Sequence, residues 1–433
     1  MTKQLQLSLF QEPVITPVER KVARSGTFVD NMALPVHRWF RYSAGFSAEW
    51  VKQVLADWPL LPDHTVLDPF AGSGTVPIVC EQVGIGSIGV EAHPVVARIC
   101  RAKLHWSTDV EQFTTLAEAV QSVAHCRQEE VVAYPELIQR SFDPALLADL
   151  TALKAAWQTH ADQSPAAELV WLAITAILRP CASAGTAQWQ YILPNKTKKK
   201  VLHPTLAFRQ QIDLMAHDMR WLQAHATQSR ACLVAGDART FTHALDRKVD
   251  AVITSPPYAN NYDYADALRF EMTFWGEVAG WGEIHDKVRK HLIVSSSQHS
   301  SRERLNADAL LAEPVLVPIR AELAAVVAQL AATREDHGGK KHYHTMVAAY
   351  CRDLGFVFQE LRKACRPGAR MCWVIGDSAP YGVYCPIDTW LGELALAAGF
   401  HSYHFEKLRD RNTKWKNRKH RVPLKEGLLW IEG

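Results

Sequence analysis

Short apolar runs, each closed by turn-forming or acidic residues, punctuate the chain: Thr65-Val66-Leu67 before Asp68-Pro69, Ser87 to Val90 before Glu91-Ala92-His93-Pro94, and Ala251-Val252-Ile253 before Thr254-Ser255-Pro256-Pro257-Tyr258. A further run precedes Gly236-Asp237-Ala238, another spans Met371 to Ile375, and the last runs from Gly427 to Ile431. Runs this short, bounded by Gly, Pro and Asp, read as buried strands. A helix-compatible segment, Val76 to Val83, follows the first strand and its glycine turn, as in an α/β fold with a mostly parallel sheet. Between Glu91 and Asp237 lies far more chain than adjacent strands of such a sheet need, so an insertion fills the gap. Its pattern is helical: Val110 to Arg127, Asp143 to Gln158, Ala166 to Leu178 and Thr205 to Ala224 show helix-like spacing between Pro and Gly breaks. A second helical stretch covers about 304–365. The expected division is a leader over 1–27, a discontinuous catalytic domain over 28–104 plus 231–433, and a helical insert over 105–230 that is the candidate target-recognition region or structural cladding.

Composition narrows the class. With 433 residues, 48% of them hydrophobic, the chain can bury a large core. Nine cysteines without a C-x-x-C pair suit a reducing cytoplasm. The sequence shows no evident signal peptide or membrane span, so a cytoplasmic, nucleoid-associated protein with no membrane partner is expected. The net charge of +3 decides nothing about nucleic acid, whereas local charge does. Lys198, Lys199 and Lys200 follow the aromatic Trp189-Gln190-Tyr191, and Glu406 to Arg421 holds eight Lys/Arg residues around Trp415, among them Lys414, Lys416, Arg418 and Lys419. Such mixtures suit a phosphate track, and a solvated surface is the other reading of each.

Two turns carry the chemistry. In Asp68-Pro69-Phe70-Ala71-Gly72-Ser73-Gly74-Thr75 the glycines permit positive φ and close approach of a ligand, and the following helix start offers unpaired amides to a carboxylate. Glu91, ending the next strand, has the position of an acid that holds ribose hydroxyls. The turn lacks G-x-G-x-x-G, which argues against a nicotinamide enzyme. In Ser255-Pro256-Pro257-Tyr258 two prolines fix the backbone and remove two donors, leaving rigid carbonyl acceptors suited to a planar amine. Tyr258 adds a flat face for a base taken out of its duplex. Asn260 to Asp266 could close over that base, or begin a helix capped by Asp263 or Asp266. No metal site is predicted: His337, His342 and His344 lack a partner set and read as a loop.

Together the two motifs resemble those of the S-adenosyl-L-methionine-dependent amino-methyltransferases of DNA. Tyr42 to Trp50, Gly236-Asp237-Ala238 and Met371 to Ser378 look like further family elements in sensible order. The resemblance covers about 28–104 and 231–433. It implies a Rossmann-like class I methyltransferase fold with a large helical insertion. It also implies that Phe46, Asp68, Phe70, Gly72, Gly74 and Thr75 shape the cofactor pocket, that Glu91 binds the ribose and Asp237 the adenine. Ser255 and the Pro256 carbonyl would hold the target amine, beside Pro257, and Tyr258 would stack on the flipped base. Methylation at cytosine C5 would need a nucleophilic cysteine, and Cys181 reads instead as a core thiol.

A leading serine favours cytosine N4 over adenine N6 in that family. The runners-up are adenine N6, an RNA base, a protein glutamine, or a regulator that grips DNA without catalysis. Implied partners are double-stranded DNA and a cognate restriction nuclease. Gln6-Leu7-Ser8-Leu9-Phe10 also resembles the peptides that dock on the bacterial sliding clamp, the other reading being packing on the catalytic domain.

Overall fold

The computed structural model describes residues 28–126, 133–187, 191–227, 230–411 and 422–433. The clamp-like peptide Gln6–Phe10 and the cations Lys414, Lys416, Arg418 and Lys419 lie outside the described residues.

Seven strands form one sheet: β1 (Thr65–Asp68), β2 (Gly86–Glu91), β5 (Ala231–Ala235), β6 (Val249–Thr254), β7 (Cys365–Gly376), β8 (Ser402–Arg411) and β9 (Leu424–Glu432). The remaining pair, β3 (Ala184–Thr186) and β4 (Ile192–Thr197), makes a separate antiparallel hairpin. The sheet order is β5-β2-β1-β6-β7-β9-β8, parallel from β5 to β7, with β9 antiparallel to both neighbours. This is a Rossmann-like class I methyltransferase sheet. The order reverses at β1, so the crevice over the carboxyl ends of β1 and β6 is the place for a ligand.

Alternation along the strands builds two cores. Val66, Ala251, Ile253, Cys372 and Val374 face one layer, where they meet Val51 and Val54 of the helix Ala48–Asp57 and Val76 and Val79 of the helix Thr75–Gln82. Leu67, Val252, Met371, Trp373 and Ile375 point to the other face, under Tyr350 and Phe358 of the helix Tyr343–Ala364. Residues 314–336, ending in the helix Arg320–Asp336, are long and apolar enough by length and composition to cross a membrane, which the sequence pattern did not suggest. Leu323, Val327 and Leu330, spaced along one stripe, are buried in the second core, so the helix is two-faced.

Between β2 and β5 the helices Val110–Cys126, Pro144–His160, Pro165–Cys181 and Pro204–His225 pack a third core. Two start as their sequence indicates: Asp143 and Ser164 accept hydrogen bonds from Ala145 N and Ala167 N, with proline in the first turn. Arg179 clamps this layer to the helix Arg269–Trp275 through both oxygens of buried Glu271, at 2.5 and 2.8 Å. The helix Arg269–Trp275 has no side-chain cap, contrary to the expected role of Asp263 or Asp266. Asp263 instead binds Arg289 at 2.6 Å, and Asp266 binds Arg269 at 2.9 Å.

Candidate active site

Asp68 closes β1 and is fully buried. Its Oδ1 accepts from Thr254 Oγ1 at 2.6 Å and from Phe70 N at 3.0 Å, so one carboxylate joins the glycine turn to the end of β6. Its Oδ2 has no hydrogen-bond partner. Burial pushes this carboxyl up to about 7, against the pull of its two hydrogen bonds. Beyond it Gly72 and Gly74 have φ of 54° and 91°, conformations that favour glycine.

Glu91, at the end of β2, reaches back across this turn. Its two oxygens accept from Gly72 N at 2.9 Å and His93 N at 2.7 Å, and burial raises it to about 7 as well. Asp237 follows β5 and is held by Arg239, whose Nη2 lies 2.6 Å from Oδ2. Arg239 also pairs with buried Asp353 at 3.2 Å.

The Ser255–Tyr258 turn leaves β6 beside the end of β7. Ser255 Oγ donates to the Val374 carbonyl at 3.2 Å, and Tyr258 N donates to Tyr264 Oη at 3.2 Å. Ser378 Oγ donates to the Ala259 carbonyl, tying the turn to the chain after β7. The Tyr258 ring carries the Arg411 guanidinium 5.0 Å from its centroid. Arg411 is steered there by the Asp377 carbonyl at 2.9 Å and Glu426 at 3.7 Å, while Arg409 takes the other Glu426 oxygen at 2.7 Å. Gly376 makes room for it, since a Cβ there would stand 2.5 Å from Arg411 Nη1.

One cavity of about 570 Å³, within the range of cofactor sites, gathers Phe46, Phe70, Gly72, Glu91, Asp237, Ser255, Pro256, Pro257 and Tyr258. Asp68, Gly74 and Thr75 stand outside its lining, as do Lys198, Lys199 and Lys200. Lys198 donates to the Arg179 and Pro180 carbonyls at 2.5 and 3.0 Å, whereas Lys199 and Lys200 are exposed. The lining also includes Tyr42, Tyr262, Tyr264, Arg409, Arg411 and Glu426. The two arginines belong to the basic stretch read as a phosphate track; the register of β8 turns Arg411 inward, while Arg409 lines the cavity from an exposed position. Tyr42 opens the segment Tyr42 to Trp50 already singled out in the sequence, whereas nothing in the sequence marks Glu426. Cys181 is buried, and its thiol is pushed up to about 12, which makes it a poor nucleophile.

The residues present fit a cationic, hydroxyl-bearing cofactor: the Gly72 turn and Glu91 line the cavity at the switch point, and behind that lining lies buried Asp68, whose Oδ2 has no partner. Fold and site together define a methyltransferase whose methyl donor is S-adenosylmethionine. The chain is a homologue of type II methyltransferases. It is 24% identical over 423 residues to type II methyltransferase M.BsoBI of Geobacillus stearothermophilus, covering 87% of this chain and 81% of that one. Type II methyltransferase M.AvaI of Nostoc sp. is 21% identical over 399 residues, covering 86% and 81%. M.AvaI of Anabaena variabilis matches equally. No protein-family model matches. Among solved structures, the rRNA methyltransferase aviRa from Streptomyces viridochromogenes aligns over 92% of this chain and 85% of its own, at 11% identity and a TM-score of 0.24, a likeness on which nothing rests.

Proposed function

We propose that the protein transfers a methyl group to the exocyclic amine of a base flipped from double-stranded DNA, with cytosine N4 as the target. The observation that carries this reading is the shared cavity of the Ser255–Tyr258 turn and the cofactor turn, braced through Asp68 and Thr254. When bound, S-adenosylmethionine supplies an electrophilic methyl on a sulfonium. Phe46, Phe70, the Gly72 turn, Glu91 and Asp237 are the residues to hold it.

The rest of the chemistry belongs to this chain. An aromatic amine is a weak nucleophile because its lone pair is conjugated with the ring. With its proton given to the Val374 carbonyl, Ser255 Oγ offers lone pairs to one amine N–H, and the Pro256 carbonyl offers a second acceptor. Both bonds favour a pyramidal nitrogen whose lone pair is free to attack, and the proton that the methylated nitrogen must shed leaves along its hydrogen bond to Ser255 Oγ and on to solvent. Pro256 and Pro257 have no N–H to compete, and Tyr258 fixes the base plane. Positioning of this kind is worth up to about 7–11 kcal/mol. No covalent enzyme intermediate is needed.

The type II relatives support a modification enzyme paired with a cognate restriction nuclease. Residues 105–230 are the proposed recognition region, with Lys199 and Lys200 on its basic edge, and Gln6–Phe10 is a proposed sliding-clamp peptide. A clamp pull-down unaffected by Leu9→Ala and Phe10→Ala would remove that contact.

The deciding experiment incubates the protein with methylation-free bacterial DNA and labelled S-adenosylmethionine, then separates nucleosides by mass spectrometry, with a Ser255→Ala, Tyr258→Ala control. Label in N4-methylcytosine, lost in the control, is the expected result. Label in N6-methyladenine overturns the choice of base, and an unlabelled DNA refutes the substrate class and directs attention to RNA or a protein glutamine.

A further inference from the structure

A second concavity, about 840 Å³, opens beside the active site and is lined by Asn261, Trp281, Arg302, Arg304, Lys340 and Lys341. The two hollows meet across consecutive residues: Asn260 lines the first and Asn261 the second. Asn261 turns the chain from one into the other with φ of 65°, a left-handed conformation asparagine tolerates. Its Oδ1 accepts from Ser297 N at 2.9 Å and Ser297 Oγ at 2.7 Å, so this shared wall is rigid.

The charge of the second hollow is one-sided. All four cations are exposed, and none is ion-paired among the described residues. Nearby carboxylates are taken: Glu303 by His299 at 2.9 Å and Glu335 by Arg334 at 3.1 Å. Unpaired cations concentrated in a concave surface draw a polyanion rather than a single small ion. An independent observation points the same way. Trp281 stands between Gly280 and Gly282 with 42% of its surface exposed, yet it is propped. The Arg289 guanidinium lies 5.1 Å from its ring centroid, and Arg289 is anchored on Asp263, just past the catalytic turn. A propped, exposed aromatic beside cations that have no carboxylate partner among the described residues, one of them, Lys341, lying 5.6 Å from the Tyr343 ring centroid, suits the alternating sugars, bases and phosphates of a nucleic acid strand.

We propose that this cleft holds the sugar–phosphate backbone next to the flipped nucleotide, with Arg302, Arg304, Lys340 and Lys341 neutralising phosphates and Trp281 lying against a neighbouring sugar or base. The assignment rests on DNA being the substrate. It differs from the outer basic tracts, because it adjoins the catalytic turn directly.

The test is fluorescence anisotropy with a labelled DNA duplex across a KCl series, on the full chain and on a variant carrying Arg302→Ala, Arg304→Ala, Lys340→Ala and Lys341→Ala. Each lost phosphate contact lowers the slope of log K against log[salt] by about 0.9, so the variant's slope falls by roughly 3 to 4. S-adenosylmethionine binding, measured by calorimetry, stays unchanged and reports an intact fold. Trp281→Phe keeps the slope and loses the DNA-induced change in tryptophan fluorescence. An unaltered slope in a variant that still binds cofactor overturns the cleft while leaving the DNA substrate standing. A wild-type protein that neither binds nor methylates DNA overturns both.

Discussion

The two carboxyls of the cofactor turn should make binding of the methyl donor strongly pH-dependent. Burial lifts Asp68 and Glu91 each to about 7 in the ligand-free protein. Raised carboxyls bind protons more tightly folded than unfolded, so their contribution to stability is full below the unfolded values and is lost as pH rises through 7. At about 1.4 kcal/mol per pH unit, ionising Asp68 in place costs about 4 kcal/mol and Glu91 about 3 kcal/mol, taken separately. A cationic sulfonium nearby favours the ionised forms and offsets that cost. If one carboxyl must lose its proton on binding, affinity rises about 10-fold from roughly pH 6 to roughly pH 8, and up to about 100-fold if both must. Isothermal titration calorimetry in buffers of differing ionisation enthalpy reads both the affinity and the protons released. S-adenosylhomocysteine, which lacks the sulfonium charge, should show a smaller rise, and Glu91→Gln should remove part of it. A flat affinity over this range, with no proton release, would refute the reasoning.

Other expectations are separable from this one. Arg411→Ala should lower kcat by removing the guanidinium from the Tyr258 ring, and Gly376→Ala, which places a Cβ against Arg411 Nη1, should lower kcat equally while costing under about 1 kcal/mol in urea unfolding, because a side-chain end moves rather than backbone. If the two variants differ in kcat, Arg411 is not what Gly376 accommodates. Asp353 accepts from Arg239, Arg352 and Val294 N in a fully buried position, and Asp353→Ala should cost about 3–5 kcal/mol by stranding those donors. Lys103 is buried with the His37 carbonyl at 3.2 Å as its acceptor, and burial lowers it to about 7. Because the unfolded lysine holds its proton to higher pH, wild-type stability should climb between pH 7 and pH 10. Lys103→Met should therefore be the more stable protein near neutrality, with the gap closing on that climb, and a pH-independent gap in thermal melts would contradict the buried charge.

What the sequence could and could not reveal follows from the range of each interaction. β1, β2, β6 and β9 were legible because an apolar run, its turn residues and its neighbours in the chain are local signals. The same holds for the helices begun by Asp143-Pro144 and Ser164-Pro165, where cap and proline are adjacent. The hairpin of β3 and β4 was not legible, since Ile192–Thr197 carries Pro194 and mostly polar residues without alternation. Asp263 looked like a helix cap because capping is local, but its partner, Arg289, comes from far along the chain. Arg409 and Arg411 show the limit most plainly. On charge alone they belong to a surface track, and only strand register assigns them otherwise. Gly376 pairs with Glu426 across β7 and β9, and Glu426 pairs with Arg409 across β9 and β8. That double register turns the basic end of β8 over the β7 glycine and sets Arg411 on Tyr258. A shift of one residue in either pairing would send the guanidinium to the other face of the sheet and leave the aromatic ring bare. The cavity beside Ser255–Tyr258 is thus completed by a hairpin whose pairing was not visible in any stretch of sequence around that turn.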